Sequence, residues 1–264
     1  MQSTDLVPRI VSGVVLAALA LVGAILGGWV AAFLLAIVAA IVHLEWVILT
    51  DRSPWPAAVF TAAPVVAIAM IMIGLVAGGL TLVGLAIIAA ALTLDVWRPV
   101  GVAYASLIGV GIVLLRLSPD YGLAATVMLL AVVWATDTGA FLSGRSIGGA
   151  KLWPAISPSK TWAGAIGGLI AGIVGGLAIA RFLGFAPGGA LVAVVAGLSV
   201  AAQAGDLFES WVKRQFGAKD SGQLVPGHGG LMDRVDSLVF ATGLAVIVGW
   251  LHAGPDLARG LVSW

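Results

Sequence analysis

Residues 205–237 read GDLFESWVKRQFGAKDSGQLVPGHGGLMDRVDS, and nine of the chain's 25 Asp, Glu, Lys and Arg residues fall within them. The acids are Asp206, Glu209, Asp220, Asp233 and Asp236; the bases are Lys213, Arg214, Lys219 and Arg234. Apolar sequence lies on both sides, and a charge at a bilayer centre costs about 2.5–3.5 kcal/mol. On a helix, Asp206, Ser210 and Lys213 share one face, with Glu209 at its edge. Asp233 and Asp236 are spaced i, i+3 and share another. Between them Pro226-Gly227-His228-Gly229-Gly230 breaks any regular helix. Two carboxylate-bearing helix ends joined by a glycine-rich loop offer hard oxygen ligands for Mg²⁺ or a similar cation. Glycine lets backbone N–H groups approach phosphate oxygens, and Lys213, Arg214 and Arg234 neutralise phosphate charge. The residues alone therefore read as a membrane-embedded, metal-assisted phosphate site.

The run Ser210-x-x-Lys213-Arg214-x4-Lys219-Asp220-x-Gly222-x3-Pro226-Gly227-His228-Gly229-Gly230-x2-Asp233-Arg234-x-Asp236 resembles the hallmark of the CDP-diacylglycerol synthases, also called phosphatidate cytidylyltransferases. The resemblance covers about residues 134–240 and is only topological before that. It implies an integral membrane enzyme that joins CTP to phosphatidate, giving CDP-diacylglycerol and pyrophosphate. CTP-dependent lipid kinases are the nearest rival; they release CDP instead. An ion-coupled transporter, with acids at mid-membrane in broken and repeated helices, fits poorly, because these acids gather at one side and no repeat is visible.

A second polar loop, residues 137–164, reads DTGAFLSGRSIGGAKLWPAISPSKTWAG. Asp137 stands near the end of an apolar stretch. Ser157, Ser159, Lys160 and Thr161 put hydroxyls and a cation at the start of the next one, where free helix N–H groups favour phosphate. This is not a P-loop, since GxxxxGK[ST] is absent. Taken alone it is equally an ordinary basic loop. The resemblance favours a part in holding the nucleotide, because D-T/S-G-A and S-P-x-K-T also recur in that family. Ala163 stands where the family commonly has an acid, which puts a polar role there in doubt.

The composition sets the class. The 264 residues are 61% hydrophobic and 9% charged, with mean hydropathy +1.14 and net charge +1; soluble domains carry about 25% charged residues. An all-α, polytopic membrane protein of about nine transmembrane helices is expected, forming a single domain over residues 1–264 whose catalytic part is about 134–240. The apolar spans read 10–27, 29–49, 57–77, 79–95, 100–117, 121–142, 163–183, 188–205 and 235–253, each near the ~20 residues that cross ~30 Å of hydrocarbon. No cysteine is present, so disulfides, thiolate catalysis and thiolate-held zinc are excluded. No cleavable leader is expected.

Residue chemistry, taken with the resemblance, sets the expected roles. Asp206, Asp233, Asp236 and Asp137 are the expected metal ligands, with Ser210 a hydroxyl ligand. Lys213, Arg214 and Arg234 are expected to bind the triphosphate and, with Asp233, to carry catalysis. Lys219, Asp220, His228 and Gly229 shape the substrate loop. The implied cofactor is Mg²⁺, with a place for a second ion, divalent or monovalent. The implied partners are CTP, phosphatidate, the lipid bilayer and a second copy in a homodimer; nucleic acid is not expected. The location implied is the plasma membrane.

Plainer readings stand beside these. Asp206 and Glu209 pair with Lys213 and Arg214 as interfacial helix ends, and Asp233 and Asp236 complement a helix dipole. His228 bonds within its loop. Glu45, near the end of the second span, is a modest site candidate and equally a helix-end contact. Asp95 and Arg98 anchor an interface. Gly168, Gly172 and Gly176 pack helices at small-xxx-small spacing.

A cytoplasmic N-terminus with nine spans puts ten of the thirteen Lys and Arg inside and leaves Arg116, Arg181 and Arg259 outside, as the positive-inside rule favours. A reporter fused after Trp264 should then be external; a cytoplasmic reporter would refute the nine-span arrangement.

Overall fold

The computed structural model describes residues 6–50, 57–222, 224 and 229–264. His228, with Pro226, Gly227 and the topology residue Arg52, lies outside the described residues. Among the described residues the chain is mostly helical, with one two-stranded hairpin. Its elements are α1 (Leu6–Leu26), α2 (Gly28–Thr50), α3 (Ala57–Met72), α4 (Val76–Ala91), α5 (Trp97–Arg116), α6 (Gly122–Ser146), β1 (Lys151–Trp153), β2 (Ser157–Thr161), α7 (Trp162–Phe182), α8 (Gly189–Gln215), α9 (Met232–Ala253) and α10 (Leu257–Val262).

Each apolar stretch read from the sequence becomes one helix, α1 to α9 in order. Among the described residues six are long and apolar enough to cross a membrane: α2, α5, α6, α7, α8 and α9. The apolar parts of α1, α3 and α4 are shorter. The protein is an all-α, multi-pass membrane protein. Two spans run further than the hydropathy pattern indicates. The 27 residues of α8 make a rod about 40 Å long, against a hydrocarbon core of ~30 Å. Its last turns, from Asp206 to Gln215, are therefore polar helix rather than loop. In the same way α6 continues past residue 142 to Ser146.

The helices gather into two compact units, residues 1–113 with 216–235, and residues 114–215 with 236–264. In the first, α2 packs on α3 and α3 on α4. Small residues set the spacing: a Cβ on Gly79 would stand 2.8 Å from Ala67 O, and one on Gly109 would stand 2.7 Å from Ala39 Cβ. Pro64 sits inside α3 without ending it, as membrane helices allow. Trp46 of α2 donates its indole N–H to Trp97 O at 2.9 Å. Its ring also packs against Tyr104, and Phe216 meets Trp97 edge-on at 5.1 Å. The aromatic cluster thus fastens the chain that follows α8 onto α2 and α5. Asp95 pairs with Arg98 at 3.5 Å, in keeping with their reading as an interfacial anchor.

The second unit is built on α6 and α7, which lie in intimate contact. Gly164, Gly168, Gly172 and Gly176, one turn apart, are all buried. A Cβ on Gly168 would stand 2.9 Å from Thr136 O, and one on Gly172 would stand 2.7 Å from Ser199 Oγ. Thr136 and Ser199 share a buried hydroxyl hydrogen bond of 2.8 Å that ties α6 to α8. Around this seam Leu129, Val132, Leu191, Leu198, Ala241 and Leu261 form a core closed to solvent. At the far end His252 stacks on Trp264 at 3.8 Å.

The 143–162 loop contains the element that the apolar pattern does not signal. Gly148 and Gly149 adopt positive φ (68° and 89°) and turn the chain out of α6, a backbone that glycine takes without steric cost. Antiparallel β1 and β2 follow, pairing Lys151 with Thr161 and Trp153 with Ser157. Thr161 then caps α7, its Oγ1 accepting the Gly164 N–H at 3.0 Å.

Replacing Gly172 by Leu should break the α6–α7–α8 seam. Overpacking of this kind costs about 1–3 kcal/mol, so the thermal unfolding midpoint in detergent should fall; an unchanged midpoint would contradict the close packing.

Candidate functional site

The polar residues singled out in the sequence fall into two groups, one in each compact unit. In the second unit three helices and the hairpin contribute. Asp137 comes from α6, Lys160 from β2, Asp206, Glu209, Lys213 and Arg214 from the last turns of α8, and Asp236 from α9. Lys160 Nζ lies 2.6 Å from Asp206 Oδ2. Lys213 Nζ lies 2.5 Å from Glu209 Oε2, and the Glu209 side chain is fully buried. Asp137 Oδ1 accepts a hydrogen bond from Ser237 Oγ at 3.1 Å. Asp236 Oδ1 accepts the Ser237 N–H at 2.7 Å. Asp206, Asp137 and Lys213 are the charged neighbours that act on Asp236. Arg214 donates from Nε to Ile156 O at 3.3 Å, linking the end of α8 to the hairpin.

Asp236 and Asp206 are half-buried and Asp137 is exposed, so the group opens to the surface. Close approach of α8 and α9 makes the grouping feasible: a Cβ on Gly205 would stand 3.1 Å from Phe240 Cβ and press on Asp236 O. Ser210 is half-buried one turn beyond Asp206 on α8, Ser157 is half-buried on β2, and Ser159 is exposed. Thr161 is buried, its Oγ1 engaged in capping α7. The plain helix-end pairing of Lys213 therefore holds with Glu209, whereas the partner of Asp206 comes from the other polar loop.

In the first unit the segment after α8 folds around two carboxylates. Asp233, in the first turn of α9, accepts hydrogen bonds from Ser221 N (3.0 Å), Ser221 Oγ (3.0 Å) and Gly230 N (2.8 Å). Gly229 has φ +83°, and a Cβ there would stand 2.7 Å from Asp233 Oδ2. The glycine pair is thus needed where the chain closes on Asp233. Lys219 and Asp220 are exposed at the outer side of this turn, and Arg234 is exposed on α9.

Glu45 takes the second place in this turn. It is buried in α2 and accepts the backbone N–H groups of Leu231 and Met232. The sequence offered one signal, a lone acid within an apolar span. Nothing in the spacing tied it to a segment 186 residues away.

A divalent cation needs hard oxygen donors and local negative charge. Three of the four expected ligands, Asp137, Asp206 and Asp236, supply both from three different elements, so the donor chemistry fits Mg²⁺; the fourth, Asp233, accepts hydrogen bonds from Ser221 and Gly230 in the first unit. Among the described residues no three His, Cys, Asp or Glu side chains stand as a ready-made ligand cluster; in the arrangement described, the ammonium of Lys160 faces Asp206.

Relatives of known name match this chain closely. A phosphatidate cytidylyltransferase of Brucella suis biovar 1 (strain 1330) is 51% identical over 166 residues, which are 62% of this chain and 61% of that protein. One of Staphylococcus aureus (strain COL) is 43% identical over 150 residues, 56% of each chain. The chain thus aligns with about three fifths of the length of these relatives. The model of the cytidylyltransferase family matches residues 7–252, nearly the whole sequence, and the chain belongs to that family.

Proposed function

We propose that this protein transfers the cytidylyl group of CTP to phosphatidate. A phosphate oxygen of phosphatidate attacks the α-phosphorus of CTP, the bond from that phosphorus to the β-phosphate oxygen breaks, and pyrophosphate leaves with CDP-diacylglycerol as the lipid product. The observation that carries the reading is the carboxylate and lysine group at the ends of α6, α8, α9 and β2, in a membrane protein of the cytidylyltransferase family. The names of the Brucella and Staphylococcus relatives agree with it.

Such a reaction asks the protein mainly for positioning and charge neutralisation. Lys160, Lys213 and Arg214 supply cationic charge beside the acids of α8, and bind and orient the triphosphate. Arg234 meets phosphate charge at the start of α9 and helps stabilise the leaving pyrophosphate. Asp233 holds the Ser221–Gly230 turn that presents Arg234. Asp137, Asp206 and Asp236 hold Mg²⁺, which when bound screens the negative charge of the triphosphate. No protein base is needed when phosphatidate is already ionised. Nine spans with the N-terminus in the cytoplasm would set this group on the side where CTP is found. The plasma membrane as location and a homodimer as assembly belong to the same proposal.

The test uses purified protein in lipid–detergent micelles with phosphatidate and Mg²⁺, and CTP labelled at the α- or the γ-phosphate. The α-label should enter the lipid with equimolar pyrophosphate, and EDTA should abolish transfer. Entry of the γ-label, with CDP released, would replace this reading by a CTP-dependent lipid kinase; no transfer of either label would refute both.

A further inference from the structure

Glu45 is the only acid in α2, and it is 5% exposed. Its carboxylate is shared between two backbone donors: Oε1 accepts the Leu231 N–H at 2.9 Å and Oε2 the Met232 N–H at 2.7 Å. Ser221 Oγ approaches Oε2 at 3.4 Å. Met232 is the first residue of α9, and the first N–H groups of a helix have no partner within it. A carboxylate there meets the positive end of the helix dipole, and its hydrogen bonds are charge-assisted. Helix N-termini of this kind otherwise attract phosphate; here the donors are already taken by a side chain of another span. The surrounding chain is shaped to admit that side chain. A Cβ on Gly230 would stand 2.6 Å from Glu45 Oε2, and one on Gly222 would stand 3.0 Å from Oε1. Asp233 holds the same turn from the other side through Gly230 N and Ser221.

We infer that Glu45 is a positioning residue for catalysis: it clamps the start of α9 and so fixes Asp233 and Arg234. The inference rests on the proposed cytidylyl transfer. A purely structural carboxylate would make the same hydrogen bonds, so the test must separate anchoring of the turn from general stability. Glu45→Gln keeps the shape but turns an amide N–H₂ toward one of the two backbone donors. Glu45→Asp keeps the charge on a side chain one methylene shorter.

Hydrogen exchange of residues 229–235 is compared with that of α6 to α8 in the full-length protein, alongside kcat and KM for CTP. In Glu45→Gln, exchange of 229–235 should quicken about tenfold while α6 to α8 keep their protection, and kcat should fall about 10- to 100-fold with KM for CTP held within about twofold. Glu45→Asp should fall between this variant and the wild type in both readouts. A Glu45→Gln kcat within about twofold of wild type would overturn the inference. So would lost activity with unchanged exchange in 229–235, or a uniform rise in exchange along the whole chain. A wild-type protein that transfers no cytidylyl group refutes the reaction alone, and the exchange comparison still decides whether Glu45 holds the turn.

Discussion

A carboxylate inside an apolar helical protein must find its donors nearby, because neither lipid nor packed side chains can solvate it. An unpaired buried ion costs several kcal/mol even after relaxation, and the described polar structure answers that constraint. Glu209, closed to solvent, holds Lys213 one turn along α8. Asp206 takes the lysine of the hairpin. Glu45 and Asp233 take backbone N–H groups of the turn that opens α9. The hairpin, the glycine turn and the long polar end of α8 are the structures that bring those donors within reach.

Glycine makes the arrangement feasible in two different ways. Along α6 and α7 it removes side chains so that backbones approach, as helix association in lipid requires, and α6 carries Asp137. In the 229–230 turn it removes Cβ atoms that would strike the carboxylates of Asp233 and Glu45. The first use builds a scaffold and the second builds a site. The first shows in the sequence as a four-residue glycine spacing, the second only as a glycine-rich run.

The sequence made much of this legible. All nine apolar stretches became helices, and six of these are long and apolar enough to cross a membrane; helical class and the polar character of both loops follow from hydropathy and charge. The ends of α6 and α8 did not, because hydropathy marks where apolar residues stop and a helix does not stop there. The hairpin escaped because three- and five-residue strands carry too little alternation to read. Within the candidate site, Asp206, Lys213 and Asp236 were recognisable from spacing. The pairing of Lys160 with Asp206 and the clamp by Glu45 were not, since both join segments far apart in the chain and only the tertiary fold sets such contacts. Thr161, expected to meet substrate, also caps α7 through its Oγ1, a local role that the motif did not signal.

We propose that Asp137, Asp206 and Asp236, brought together from α6, α8 and α9, hold a divalent cation. Mn²⁺ binding, followed by electron paramagnetic resonance on purified protein without nucleotide, tests this most directly. The wild type should bind Mn²⁺ in competition with Mg²⁺, and Asp236→Asn should weaken binding by more than about tenfold, while Asp256→Asn, at the cap of α10, leaves it unchanged. Equal affinity in wild type and Asp236→Asn would contradict the account.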